Sequence, residues 1–120
     1  MRTRHCNVWA AGSALLAIGV LACGGATALE FKDIAGRWCT SGGTEEFDRD
    51  TLTATPAETG AQRVYPIERY HFHAKKVTVV WRDAARGESY STDFAKFSAD
   101  GRRMVQLRNV AGPRREFHRC

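Results

Sequence analysis

The 120-residue sequence has no internal repeat and no low-complexity run, which excludes a solenoid and a long disordered tail. It has no apolar stretch of the roughly 20 residues that cross a bilayer as a helix. From Gly36 to Cys120 no window sustains an apolar period of 3.6 residues, so a helical bundle is excluded as well. At this length one domain fits and a second does not. Several chemistries are missing too. There is no Cys-x-x-Cys for redox exchange or a tetrahedral metal site, and no Gly-x-Ser-x-Gly for nucleophilic catalysis. No acidic residue precedes Glu30.

The acid-free start is informative. A basic Met1-Arg2-Thr3-Arg4 leads into an apolar run from Val8 to Ala22, and Ala26-Thr27-Ala28 supplies the small residues that signal peptidase requires. Residues 1–28 are therefore expected to be a signal peptide and 29–120 a single domain in the periplasm or outside the cell. A competing site is Val20-Leu21-Ala22-Cys23, which resembles the lipobox of bacterial lipoproteins and implies lipidation at Cys23. Removing the leader takes Arg2 and Arg4 with it, so 16 basic residues face 13 acidic ones and the charge falls from +5 to about +3. The remaining excess favours an anionic partner without specifying one.

Of four cysteines, Cys6 and Cys23 lie in the leader, leaving Cys39 and Cys120. Free thiols are uncommon in an oxidising compartment, so these two are expected to form one bridge. Closing a loop of about 80 residues stabilises a domain by about 4 kcal/mol in the chain-entropy model.

Short runs rich in Thr, Val, Tyr, Phe and Trp recur between turn signals, which reads as all-β. Strands are expected near 36–41, 44–48, 51–55, 62–73, 76–82, 88–97, 102–108 and 114–119. Val77, Val79 and Trp81 share one face, with Val80 an apolar exception on the other; Tyr90 and Phe94 share a face, as do Val105 and Leu107. The apolar parity switches between Tyr65-Ile67 and Tyr70-Phe72, predicting a bulge near Glu68-Arg69, and Pro66 predicts an edge or a bend. Turns are marked at Asp48-Arg49-Asp50, Pro56 to Gly60, Ala84 to Gly87, Ala99-Asp100-Gly101 and Ala111-Gly112-Pro113. Eight antiparallel strands satisfy their edges by rolling up, so the expected fold is a small up-and-down β-barrel, with an open β-sandwich as the alternative.

At Gly36-Arg37-Trp38 the chain resembles the Gly-x-Trp start of lipocalins and related calycin barrels. In that fold a C-terminal Arg packs over the Trp, a role the resemblance implies for Arg115 or Arg119. In length, leader and single disulfide the chain is also similar to small periplasmic inhibitor barrels such as the bacterial alkaline-protease inhibitors, although their inhibitory segment has no counterpart here. The segment from Asp33-Ile34-Ala35-Gly36-Arg37-Trp38-Cys39 to Arg114-Arg115-Glu116-Phe117-His118-Arg119-Cys120 resembles small uncharacterised exported proteins of alphaproteobacteria, which implies no activity.

The remaining candidates for chemistry are few. His71 and His73 lie two residues apart on one strand face, but a third ligand is missing, so no metal or other cofactor is expected. Asp48-Arg49-Asp50 begins like a Ca²⁺ loop without its later Gly and Glu, and Glu45 and Glu46 point to opposite faces. The most uneven charge is C-terminal, where Arg102, Arg103, Arg108, Arg114, Arg115 and Arg119 meet one acid, Glu116. Antiparallel pairing is expected to bring the doublets Arg102-Arg103 and Arg114-Arg115 together, as a surface for an anionic small ligand or an acidic envelope protein. Export disfavours nucleic acid, and a monomer is expected. The sequence thus reads as an exported, non-catalytic binding or inhibitor-like barrel; the alternative is an envelope-associated structural or assembly lipoprotein.

Overall fold

A computed structural model describes residues 27–107 and 114–120. Most of the expected leader with Cys6 and Cys23, together with Arg108 and the Ala111-Gly112-Pro113 turn, lies outside the described residues. A short helix α1 (Phe31–Ile34) precedes strands β1 (Gly36–Thr40), β2 (Gly43–Phe47), β3 (Thr51–Pro56), β4 (Arg63–Phe72), β5 (Lys76–Asp83), β6 (Glu88–Ala95), β7 (Arg103–Gln106) and β8 (Arg115–Arg119). Each strand pairs antiparallel with the next, and β8 returns to β1, closing an eight-stranded barrel. The expected up-and-down barrel is therefore the fold, and the open sandwich is not.

Alternation along the strands fills the interior. Trp38, Phe47, Val77, Val79, Phe94, Met104 and Phe117 are fully buried, with Ile34 of α1 among them. Phe94 packs edge-on against both Phe47 and Phe117, at centroid distances of 5.2 and 5.9 Å. The bulge falls where the parity switch requires it, between Ile67 and Arg69, so that Ile67 and Tyr70 both face inward. Pro66 is the last β4 residue in register with β3, opposite Thr51, and the β4–β5 ladder begins at the next residue, Ile67.

The face assignment of one strand, β7, needs correction. On β7 the core residue is Met104, and Gln106 shares its face, while Val105 points outward opposite Glu116. Gln106 points inward because it accepts hydrogen bonds from Arg115 inside the barrel, which an apolar count on one strand does not register. Val80 is on the outer face as expected, yet it is only 6% exposed, flanked in register by Arg69 and Ser91.

The helix was not legible from the strand pattern. Asp33 Oδ2 accepts from the Glu30 backbone N–H at 2.7 Å, which starts the helix. At its other end the orphan carbonyls find side-chain donors. Trp38 Nε1 donates to Ile34 O at 2.8 Å, and Arg119 donates through Nη1 to Ala35 O at 2.5 Å and through Nη2 to Asp33 O at 3.2 Å. The helix thereby closes one end of the barrel, with Phe31 edge-on to Tyr70 at 5.4 Å.

Candidate functional site: the barrel mouth

The opposite end, where β1 turns into β2, β3 into β4 and β5 into β6, is less filled among the described residues. Above a floor of Leu52, Val79 and Phe94 lies a cavity of about 200 Å³. One wall is aromatic: Tyr65 of β4 meets Trp81 of β5 at 4.8 Å, and Trp81 meets Tyr90 of β6 at 4.9 Å. Trp81 Nε1 is held by Thr92 Oγ1 at 3.1 Å, which fixes the indole in the wall.

The facing wall is polar and comes from β2, β7 and β8. Arg115 Nη2 donates to Glu45 Oε2 and to Gln106 Oε1, each at 2.8 Å. The Glu45 side chain is 13% exposed and that of Arg115 40%. Burial pushes the Glu45 carboxyl above its ordinary range, and the attraction and hydrogen bond of Arg115 pull it partly back. The pair is charge-balanced, so the cavity carries a donor–acceptor array without a net charge.

Comparing Glu45 with its neighbour Glu46 alone does not reveal this wall. Their opposite faces are as expected: Glu46 pairs outside with Arg37 at 3.5 Å, while Glu45 lies inside. The signal was present. Glu45 is two residues from buried Phe47 and Arg115 two from buried Phe117, so the strand period places both on the inner face.

The C-terminal arginines do not gather into one surface. β7 and β8 pair Arg103 with His118 and Gln106 with Arg115, so the two doublets sit at opposite ends of the hairpin. The expected juxtaposition is wrong, because residues that flank a hairpin loop and residues at its open end are a strand length apart in any antiparallel register. Arg102 and Arg103 lie at the α1 end, where their backbone N–H groups donate to Ser98 Oγ at 3.1 and 2.9 Å. Arg114 is exposed at the mouth and Arg115 is turned inward. Arg119, not Arg115, packs over Trp38, with 3.9 Å between guanidinium and ring centroid.

Gly36 makes that packing possible. Its φ of +97° is a conformation L side chains rarely adopt, and a Cβ there would lie 3.1 Å from Arg119 Nη1. The Gly-x-Trp pattern thus has a physical basis in this chain: the glycine gives the guanidinium room to reach both the ring and Ala35 O.

Other candidates fall on the outside. His71 and His73 are exposed with ring centroids 6.5 Å apart, and Arg69 Nε donates to His71 Nε2 at 3.0 Å. His118 is on β8, which neighbours β7 and β1 and not β4, so it does not join them. Among the described residues no group of three His, Cys, Asp or Glu is placed to hold a metal ion. Asp48 to Thr51 is a turn, with Asp48 N donating to Thr51 O at 2.9 Å. Cys39 and Cys120 are bonded, with their Cα atoms 5.1 Å apart.

No protein-family model matches the chain, and no curated protein or solved structure matches it either.

Proposed function

We propose that the chain is an exported, non-catalytic binding barrel that takes a small molecule into its mouth. The cavity carries this reading: among the described residues the barrel is filled from the α1 end and not at its other end, where an aromatic wall stands opposite a polar one. Concave sites with apolar walls and a few convergent polar groups are where small ligands bind. The leader-like start and the Cys39–Cys120 bridge, which is compatible with an oxidising compartment, support export. The Gly36-Arg37-Trp38 start and the Arg119–Trp38 stack support a likeness to calycin barrels. Titration with indole, observed at the Trp81 indole N–H by NMR, tests the reading. Saturable shifts of that signal support it, and a signal unchanged at millimolar levels of indole and of small substituted benzenes, neutral and charged, overturns it.

A second reading is favoured by the exposed side chains of Arg103 and Arg114, which have no acid within ion-pair distance among the described residues. Here an acidic envelope protein docks on the outer surface, with or without a lipid at Cys23. Loss of such a complex on Arg103→Glu, with indole binding intact, distinguishes it from the first.

A further inference from the structure

We propose that the mouth selects a small molecule of no net charge, a ring or compact apolar body bearing a head group that offers one donor and one acceptor, such as a carboxamide or a zwitterionic amino acid. The inference rests on the mouth-binding reading and narrows its ligand away from the anion that the arginine-rich sequence suggests.

Size comes first. A water molecule takes up about 30 Å³ of liquid. A cavity of about 200 Å³ therefore holds roughly seven waters, or an organic molecule of about ten heavy atoms. The walls fix the orientation. A planar body lies against Trp81 and Tyr65 over Leu52 and Phe94, which turns its head toward Glu45, Gln106 and Arg115.

Charge then decides the head group. The hydrogen bonds of the polar wall use Nε and Nη2 of Arg115 and Oε2 of Glu45. Among the described residues Nη1 of Arg115 and Oε1 of Glu45 have no hydrogen-bond partner, and these two atoms are the donor and the acceptor we assign to a ligand. An anion at Nη1 meets the repulsion of Glu45 close by, and a cation at Oε1 meets that of Arg115. With the Glu45 side chain only 13% exposed, these oppositions offset much of the gain. A head group with both a donor and an acceptor, or with both charges, satisfies the two atoms together.

Three probes of similar size separate the cases: benzamide, benzoate and benzylammonium, each titrated into the full disulfide-bonded chain at neutral pH and read at the Trp81 indole N–H. Benzamide is expected to bind at least tenfold more tightly than either ion. Glu45→Gln frees the guanidinium and is expected to reverse the benzamide-to-benzoate preference, and Arg115→Gln is expected to favour benzylammonium; each variant serves if the other does not fold. Benzoate or benzylammonium binding the unmodified chain as tightly as benzamide overturns the selectivity and leaves the mouth reading standing. Binding of indole without benzamide does the same. Failure of all four compounds, indole included, overturns both.

Discussion

The guanidinium of Arg119 lies 3.9 Å from the centroid of the Trp38 ring and donates to Ala35 O, so the last strand caps the helix that precedes the first. The register between β1 and β8 joins Trp38 to Arg119 and Cys39 to His118, and Cys120 bonds to Cys39 beside them. A short ladder, one stacked cation and one covalent bridge thus share the closing seam of the barrel.

Arg119→Ala is expected to lower stability by about 2–4 kcal/mol, from a lost cation–π contact and from helix carbonyls left without donors. Arg119→Lys should restore less than half, because an ammonium cannot stack on the ring and fork to Asp33 O and Ala35 O at once. Urea denaturation followed by tryptophan fluorescence measures both. A lysine variant as stable as the unmodified chain would show that the charge alone matters.

The bridge spans 81 residues, and its removal by Cys120→Ala should cost about 2–5 kcal/mol. Intact-mass analysis without reductant should find the exported protein two hydrogens lighter than its reduced form. Because Cys120 and Arg119 hold the same seam, the double variant should deviate from additivity by about 0.5 kcal/mol or more. Two thiols titrating in the native protein would contradict the bridge.

Burial raises the Glu45 carboxyl, so between the ordinary glutamate range and its folded value the folded state holds a proton that the unfolded chain has released. In that window the folded state binds more protons, and stability falls as pH rises, levelling off above it. Glu45→Gln should remove this slope. Denaturation midpoints of both proteins across the weakly acidic range check it. A relative gain in stability of the unmodified chain with rising pH would mean that attraction to Arg115 outweighs burial.

Leu29 donates its backbone N–H to His73 O at 2.8 Å and packs against the core, so a chain that starts there keeps its first anchor. If the chain is exported as proposed and cut after Ala28, mass spectrometry of the mature protein should find Leu29 at its start. A diacylated Cys23 would instead assign the chain to the lipoproteins.

The barrel was legible in the sequence to a large extent, since strand alternation and turn residues are local. Val77, Val79 and Trp81 alternate with Thr78, and the parity break at Glu68 marks the bulge; a nearest-neighbour pattern suffices for both. The failure on β7 has a cross-strand cause. Met104 and Val105 are equally apolar, and which of them faces inward depends on Gln106 finding Arg115 on the next strand. A single-strand period carries no such information.

Composition and local periodicity thus determined, without further help, an all-β chain of eight strands. Pairing across strands decided the rest. It placed Glu45 and Arg115 together although they are 70 residues apart in the chain, divided the arginines between two ends of a hairpin, and chose Arg119 over Arg115 for Trp38. Charge and stacking partners are set by three-dimensional register, which a linear pattern constrains to a face but not to a neighbour.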